Sequence, residues 1–405
     1  MSISAYLGLL NGANGANGAN GANGANGANG ANGAAGDFPV GTGFVGRLVS
    51  PYTSGALISS RDGIVGPWQR PDKAPPNPKL DTRDSMRRWS PRVRADIIEF
   101  DLLSIVRLGV NKRADKATKK GKKPTKPDRG VKIHYRERID GHKFKGQLIK
   151  LMPVDNERLR KNQLNFVHSY ADLRPDRANE ILSQLSDVVT FFSGIAQLHR
   201  ERTRATIELL DVLLRTFVKM EMRLKHTHST TRPSEFSPQI NPMIQTPGHG
   251  SYPSGHAGES FMVAYVLAEL VKIAGFRKGN ALWREQLMTQ AARIAVNRVV
   301  AGVHFPVDNA AGMVLGLTMG KFFVDRATEL GAGRSDTEFQ GWKFKPDLYG
   351  CRDFPWREIL KGFDSGKGTE YLRPRAKFLL RDTLKDEDPL KWLWDRAVKE
   401  WEPVT

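Results

Sequence analysis

Apolar residues recur at helical spacing through the second half of the chain. Positions i, i+3, i+4 and i+7 are apolar over residues 176–201 and 203–225, which is the period of a helix that buries one face. Three further segments of helical character follow, so the five predicted helices are 176–201, 203–225, 254–275, 280–303 and 306–330. Together they predict a helical bundle.

An earlier helix is predicted over residues 91–109, where Gly109 is the expected stop. Before it, the chain from Asp37 to about Ser90 is rich in Gly, Pro and Ser. Such a composition is typical of loops and connectors. We therefore expect an irregular segment ahead of the helices.

The two ends of the chain differ from the helical region. Residues 11–34 are eight copies of Asn-Gly-Ala, which offer no side chain large enough to bury, so we expect residues 1–36 to be disordered. Residues 336–405 form a mixed extension that contains five tryptophans. The predicted fold class is mainly α: a helical domain over 37–335, with its motif core at 225–308, between irregular N-terminal and C-terminal segments.

The charge of the chain favours anionic partners. The 405 residues carry a formal net charge of +19, which suits nucleic acid, an anionic membrane or an oxyanionic ligand. Residues 111–132 hold ten Lys or Arg against two Asp, but no aromatic residue lies among them. Since base stacking needs aromatic side chains, we interpret this segment as a solvated loop and do not expect nucleic acid as a partner.

Three sequence features limit the cellular setting. Cys351 is the single cysteine, which excludes an intrachain disulfide and a site made of several thiolates. The N-terminal stretch lacks the basic start and the length of a secretory signal. The most apolar segment, 310–324, is interrupted by Lys321, so we predict a buried core helix and no transmembrane segment. A cytoplasmic location is favoured, and export by another route stays open. Homo-oligomer formation stays open.

Polar residues that could bind a ligand or take part in catalysis lie in three groups near the ends of the predicted helices. The groups are Lys225 with Arg232; Ser254, Gly255 and His256; and Arg298, His304 and Asp308. Three cations and the amide groups at a helix start would together bind an anion of about two to three negative charges, such as phosphate or vanadate. The sequence therefore predicts an oxyanion site.

The two histidines in these groups are assigned different roles. His304 stands four residues before Asp308, so a carboxylate can fix its tautomer and raise its basicity, which favours a nucleophile or a metal ligand. His256, at the start of its helix, is the predicted general acid–base. His249 lies seven residues before His256 and is predicted to line the pocket.

The three groups resemble the motifs of a superfamily that joins type 2 phosphatidic-acid phosphatases, bacterial class A acid phosphatases and vanadium-dependent haloperoxidases. Lys225 to Pro233 resembles Lys-x6-Arg-Pro, Pro253 to His256 is Pro-Ser-Gly-His, and Asn297 to Asp308 is similar to Ser-Arg-x5-His-x3-Asp. The resemblance implies that Lys225, Arg232, Ser254, Gly255 and Arg298 bind the oxyanion. It further implies that His304 is the vanadate ligand or the phosphorylated nucleophile, and His256 the acid–base.

Within this superfamily the sequence is most similar to the soluble haloperoxidases, which use vanadate and peroxide to oxidise halide. The chain shows no clear membrane span and is longer than the compact acid phosphatases. It also has a histidine, His249, at a position where bromoperoxidases similarly have a histidine and chloroperoxidases have a phenylalanine. The favoured hypothesis is therefore a vanadate-dependent bromide peroxidase that acts on a small-molecule substrate.

Two departures support the alternative. Asn297 replaces the usual Ser, and Met222 stands where haloperoxidases tend to have a Trp. The alternative is a phosphatase that acts on a phosphate ester through a phosphohistidine on the same site, without a cofactor: either a soluble acid phosphatase that cleaves phosphomonoesters or a lipid-phosphate phosphatase. A third hypothesis is a non-catalytic protein that binds anions or nucleic acid.

Overall fold

The computed structural model describes residues 58–61, 63–73, 83–110, 130–139, 142–275, 281–328, 336–381 and 388–402. The Asn-Gly-Ala tract and residues 111–129 of the Lys-rich segment lie outside this set. The chain divides into two units after Ile97, and the site and the sheet described below belong to the second unit.

Helices form most of the described structure, which confirms the mainly α class. The longer helices are α1 Pro91–Ile105, α2 Glu157–Tyr170, α3 Arg174–Ser183, α4 Thr190–Ala196, α5 Arg204–His228, α6 Gly255–Ile273, α7 Ala281–Val300, α8 Pro306–Thr328, α9 Trp356–Asp364 and α10 Pro389–Lys399. Single turns of helix lie at Arg83–Met86, Pro233–Phe236, Pro346–Tyr349, Ala171–Leu173 and Pro238–Ile240. None of the described helices is both long enough and apolar enough to cross a membrane.

Four of the five predicted helices are present within three residues of the predicted ends, as α5 to α8. The segment 176–201 instead forms two helices, α3 and α4. The carboxylate of Asp187, in the connection between them, accepts a hydrogen bond from the Thr190 amide at 2.9 Å, and such a contact favours the start of a helix at Thr190. The helix predicted over 91–109 ends at Ile105, and Gly109 lies in a strand.

The centre of the second unit is α6, which packs against α5, α7 and α8 and is buried along most of its length. Its contact with α8 is a close approach of two backbones. A Cβ on Gly316 would overlap the carbonyl of Gly258, and one on Gly312 would overlap the carbonyl of Ser254. The same approach lets the Ser254 amide donate to the Asp308 carbonyl at 3.0 Å, so the helix starts that carry the second and third motif groups lie side by side.

A five-stranded sheet, which the sequence analysis does not predict, completes the unit. Its strands are β1 Val106–Val110, β2 Val131–Ile139, β3 His142–Leu151, β4 Asp336–Phe344 and β5 Leu372–Arg381, in that spatial order. The β3–β4 pair is parallel and the other pairs are antiparallel. The sheet thus joins strands from before residue 335 to strands of the C-terminal extension.

The expectation of an irregular C-terminal segment is wrong. Residues 336–381 contribute two strands and α9, and α10 packs against α5. Trp392, Trp394 and Trp401 are buried, and Trp342 stacks on Phe363 at 5.1 Å. These four tryptophans therefore form part of the core.

Candidate oxyanion site

All the residues predicted to bind or transform the oxyanion are buried, and they come together where α5 ends and where α6 and α8 begin. The buried set is Lys225, Arg232, Ser254, Gly255, His256, Arg298, His304 and Asp308, whereas His249 is partly exposed. Burial of so many polar groups is costly unless each has partners. The site is therefore best described by the partners that each group has.

Lys225 is held by backbone carbonyls from the turn that leads into α6. Its Nζ donates to the Pro253 carbonyl at 2.6 Å and to the Gly250 carbonyl at 3.3 Å. Carbonyl oxygens orient the ammonium group without cancelling its charge. Burial is the main cause that lowers the pKa of Lys225, and the charge of Glu221 opposes that shift.

Arg232 is fixed in the same way, just beyond the end of α5. Its Nη1 donates to the Val303 carbonyl at 2.8 Å, and its Nε to the His249 carbonyl at 3.2 Å. The side chain of Glu235 accepts from the Arg232 amide and anchors the backbone. The guanidinium is thereby aimed at His304, whose Nε2 lies 3.3 Å from Nη1.

The hydrogen bonds of His304 assign its tautomer. A guanidinium can only donate, so Nε2 of His304 accepts from Arg232 and carries the lone pair. Nδ1 then holds the proton and donates to Oδ2 of Asp308 at 3.3 Å. Asp308 is itself held by the Ser251 hydroxyl and by the Phe305 amide, at 3.0 Å for the latter.

His304 is neutral in this arrangement. Burial lowers its pKa well below the usual value, and the charges of Arg232 and Lys225 lower it further. Burial also raises the pKa of Asp308, although its hydrogen bonds act in the opposite direction. A neutral imidazole with a lone pair on Nε2 and a carboxylate behind Nδ1 is the form that a nucleophilic histidine requires.

His256 occupies the first turn of α6 and is oriented by a different segment. Its Nε2 lies 3.0 Å from the carbonyl oxygen of Gln184, so Nε2 donates and Nδ1 carries the lone pair. Burial, followed by the charge of Arg298, lowers the pKa of His256 well below the usual value. The ring is neutral and could accept a proton when a bound anion offsets the charge of Arg298.

Unsatisfied donors mark the place of an anion. Arg298 uses one nitrogen, Nη2, to contact the side chain of Gln184 at 2.8 Å and the Ile181 carbonyl at 3.3 Å. Its Nε and Nη1 have no hydrogen-bond partner among the described residues, and neither has the hydroxyl of Ser254. Buried donors of this kind are rare, and they suit the oxygens of a tetrahedral oxyanion. Burial lowers the pKa of Arg298 to about 10, so the group stays charged at neutral pH.

His249 lies beside the same cations. Its Nδ1 lies 3.2 Å from Nη2 of Arg232, which can only donate, and 3.2 Å from the Gly250 carbonyl oxygen, which can only accept. Burial and then the charge of Lys225 lower the pKa of His249 to about 3. The structure thus places a neutral, partly exposed histidine beside Arg232; that His249 lines a substrate pocket stays a prediction.

The sequence analysis missed Glu221 and Gln184. Glu221 stands one helical turn before Lys225, with its Oε1 at 3.5 Å from Nζ. Its carboxylate lies so close to Gly255 that a Cβ there would overlap Oε1, and burial raises the pKa of Glu221. The i, i+4 spacing to Lys225 could have revealed it. Gln184, which contacts both Arg298 and His256, has no local sequence signal because both partners are distant in sequence.

His304 is the one residue of this site that is predicted to bind a metal, as the ligand of vanadate. In the part of the chain that the structure describes, no group of three or more His, Cys, Asp or Glu side chains is arranged to hold a metal ion. Vanadate is a different kind of ligand, because it binds as an oxyanion with one histidine. The free donors of Ser254 and Arg298 fit vanadate as well as phosphate, so they do not separate the two.

The chain is similar in part to one family model, one relative and one solved structure. The model of the PAP2 superfamily matches residues 205–329. Bacitracin transport permease protein BcrC of Bacillus licheniformis is 27% identical over 157 residues, which is 38% of this chain and 73% of the relative. A solved structure, the first transmembrane PAP2 type phosphatidylglycerolphosphate phosphatase from Bacillus subtilis, aligns with a TM-score of 0.36 at 18% identity, over 45% of this chain and 92% of the other.

The matched segment contains every residue that the sequence analysis assigned to the oxyanion site, from Lys225 to Asp308, whereas Gln184 lies before it. The family model thus supports the PAP2 superfamily for the part of the chain that builds the site.

Proposed function

We propose that the protein is a phosphatase that hydrolyses phosphate monoesters through a phosphohistidine on His304. The observation that carries this proposal is the neutral His304, with its lone pair on Nε2 and Asp308 behind Nδ1, beside three buried cations. Such a set contains a nucleophile, a charge-stabilising cradle and an acid–base in the chain itself. The match to the PAP2 superfamily supports the same reaction class.

In the first step the ester phosphate occupies the cradle formed by Lys225, Arg232, Arg298, Ser254 and Gly255. The phosphate accepts the hydrogen bond that Arg232 otherwise donates to Nε2 of His304, and the lone pair of Nε2 becomes free. Nε2 then attacks phosphorus, and the bond from phosphorus to the ester oxygen breaks. The cations stabilise the charge that spreads over the equatorial oxygens.

His256 moves the protons of both steps. The bound phosphate offsets the charge of Arg298 and raises the basicity of the ring, so that His256 enters the reaction protonated on Nδ1. It gives that proton to the leaving alkoxide, and an alcohol departs. Water then attacks the phosphohistidine and gives a proton back to Nδ1, while the bond between phosphorus and Nε2 breaks and phosphate leaves.

The haloperoxidase hypothesis uses the same cradle with vanadate bound to Nε2 of His304. Vanadate would supply the activation of peroxide, and Lys225, Arg232 and Arg298 would hold its oxygens. No comparison singles out this chemistry, so halide oxidation stays a prediction. On either hypothesis orthovanadate binds where phosphate binds.

A parallel assay tests the proposal. The purified protein is given a chromogenic phosphate monoester in one series, and orthovanadate, peroxide and bromide with a brominatable dye in the other. We expect hydrolysis that orthovanadate inhibits in competition with the ester. Bromination of the dye without ester hydrolysis would refute the phosphatase and favour the haloperoxidase; inactivity in both series would favour the non-catalytic hypothesis.

A further inference from the structure

The three cations of the oxyanion site are anchored in different ways. Lys225 and Arg232 donate to backbone carbonyls, at 2.6 Å and 2.8 Å for the shortest contact of each. The shortest hydrogen bond of Arg298 among the described residues goes instead to a side chain, from its Nη2 to Oε1 of Gln184 at 2.8 Å. Its contact with a backbone carbonyl is longer, at 3.3 Å. The direction of Arg298 therefore depends on how firmly the Gln184 side chain is held.

Gln184 is fully buried at the residue that ends α3. Its Oε1 also accepts from Nδ2 of Asn297 at 3.1 Å, and its Nε2 donates to Oε1 of Glu180 at 3.1 Å. Since a carboxylate only accepts and a guanidinium only donates, Glu180 and Arg298 together fix which way the amide points. An amide oxygen has two lone pairs, and Arg298 and Asn297 use both.

Asn297 is held from its other side by a further charged group. Its Oδ1 accepts from Nη1 of Arg177 at 3.0 Å, which leaves Nδ2 to donate to Gln184. Glu180, at the other end of the network, pairs with Arg293 at 2.8 Å. Asparagine at a position where the superfamily usually has serine thereby gains a role, because its two amide atoms meet two partners, where a serine would offer a single hydroxyl.

The backbone of Gln184 contacts the acid–base of the site. Its carbonyl accepts from Nε2 of His256 at 3.0 Å. Gln184 therefore contacts two members of the oxyanion site that belong to different helices, His256 on α6 and Arg298 on α7. A displacement of this one residue would disturb both contacts.

Satisfaction of buried polar groups does not by itself account for this arrangement. A buried glutamine needs partners for its amide, but backbone groups can supply them. They do so for Gln163, which contacts the Val307 amide at 3.1 Å and the Gly350 carbonyl at 3.3 Å. Gln184 instead uses both lone pairs of Oε1 for side chains of α7, one of which is the cation of the site.

We propose that Gln184 is a positioning residue, which orients Arg298 through Oε1 and His256 through its carbonyl. The inference rests on the proposed function, from which the roles of Arg298 and His256 are taken. Gln184 occupies Nη2 of Arg298, while Nε and Nη1 have no partner among the described residues and are left for the anion. A side chain that is oriented before binding loses less freedom when the anion binds, so the affinity is higher.

The first test is a double-mutant cycle on the affinity of the full chain for orthophosphate, measured by isothermal calorimetry. Gln184→Met keeps the approximate length and volume of the side chain but lacks the amide. It is made alone and together with Arg298→Ala, because a cycle separates a residue that acts through Arg298 from one that acts independently. The control is Val188→Ala, which opens a cavity in the connection between α3 and α4, where Val188 is 1% exposed.

We expect Gln184→Met to weaken orthophosphate binding by about tenfold, because Arg298 loses its shortest hydrogen bond. Beside Arg298→Ala, the same change should weaken binding by less than about twofold, since no guanidinium is left to orient. Val188→Ala should lower the temperature of unfolding, because it leaves a cavity. Its affinity for orthophosphate should stay within about twofold of the wild type, since it leaves the Gln184 network in place.

The second test concerns His256 and compares two phosphate monoesters. An alkyl ester needs a proton for its leaving group, whereas a nitrophenyl ester does not, so only the alkyl ester depends on His256 as an acid. We expect Gln184→Met to lower kcat/KM for the alkyl ester by about threefold more than for the nitrophenyl ester. An equal loss for the two esters would overturn the role of Gln184 at His256.

Two outcomes would overturn the role of Gln184 at Arg298. One is additive losses in the cycle, about three-hundredfold in the double variant. The other is an equal loss of affinity in Val188→Ala and Gln184→Met. Because the cycle measures binding, it decides this role even in a wild type that hydrolyses neither ester, a result that would refute the phosphatase alone. If Gln184→Met does not fold, Asn297→Ala replaces it, with an expected loss of about threefold that is absent beside Arg298→Ala.

Discussion

The oxyanion site and the five-stranded sheet both carry positive charge, but they hold it in opposite ways. In the site, Lys225 and Arg232 are buried, and backbone carbonyls fix each nitrogen in direction. On the sheet, Arg136 and Lys145 are exposed and stand opposite each other across β2 and β3. Positive charge thus occurs once buried, with directional partners, and once exposed to solvent.

This difference indicates what each region can recognise. Buried, oriented donors with a few bonds unfilled, as at Arg298 and Ser254, select one anion of defined shape. Exposed charges such as those of Arg136 and Lys145 are screened by salt and do not fix the orientation of an anion. The two regions should therefore respond independently to mutation, and the predictions below test that separation.

The largest effect is expected from His304→Ala. Without the Nε2 nucleophile, the turnover of a phosphate monoester should fall by about a thousandfold or more. Arg136→Gln, on the exposed side of the sheet, should leave turnover nearly unchanged, since Arg136 lies outside the buried site. Steady-state kinetics of the two variants check both expectations. Full turnover in His304→Ala would exclude His304 as the nucleophile, and a large loss of turnover in Arg136→Gln would join the two regions.

Arg298→Ala should weaken the affinity for phosphate by about thirtyfold, because a charge-assisted contact is worth about 2 kcal/mol. Isothermal calorimetry with orthophosphate or orthovanadate measures it. Arg298→Lys is the matched variant: it keeps the charge but loses the fork, so we expect an intermediate affinity. Unchanged affinity in the alanine variant would place the anion elsewhere.

Glu221→Gln should strengthen phosphate binding by about tenfold at neutral pH, because it removes a buried carboxylate next to the anion. Burial raises the pKa of Glu221, so the wild type should approach the affinity of the variant as the pH falls and Glu221 is protonated. Calorimetry at several pH values follows the difference between the two proteins. Glu269→Gln, near the far end of α6, is the charge-matched control. Weaker binding in Glu221→Gln would show that Glu221 serves to hold Lys225.

The smallest effect concerns His228, which packs edge-on against Tyr252 at 5.0 Å behind the site. Burial lowers the pKa of His228 from 6.5 to about 4. Below pH 6.5 the unfolded chain therefore binds a proton that the folded chain does not, and stability falls as the pH falls toward 4. His228→Phe removes this contribution.

Relative to the wild type, the free energy of unfolding of His228→Phe should rise by about 1 kcal/mol between pH 6.5 and about pH 5.5. Denaturant unfolding at both pH values measures the change. A constant difference between the two proteins would mean that His228 keeps an ordinary pKa in the fold.

The residues of the site could be predicted from the sequence because their chemistry is rare and their spacing is fixed. Few structural roles require cations, histidines and a glycine at a helix start in that order. The period of 3.6 residues in the apolar positions predicted α5 to α8. Gln184 could not be predicted. Its contacts to Arg298 and His256 join residues more than seventy positions apart, and a glutamine after a helix has no distinctive pattern.

The sheet escaped prediction because polar and charged residues alternate with the apolar residues of its strands. On β2 the buried Val131, Ile133 and Tyr135 alternate with Lys132 and His134, which is the period of a half-buried strand. Because the polar half carries basic residues and follows a Lys-rich segment in the sequence, the stretch resembles a solvated loop in composition. The register between strands depends on pairing over long distances and has no local signal.

The central claim, a phosphohistidine on His304, is tested most directly by trapping that intermediate. The protein is mixed with a phosphate monoester, quenched in base, where phosphohistidine survives, and digested for mass spectrometry. We expect an acid-labile phosphate on the peptide that contains His304, and none in His304→Ala. Turnover of the ester with phosphate on another residue, or with no covalent phosphate at any time after mixing, would contradict the account.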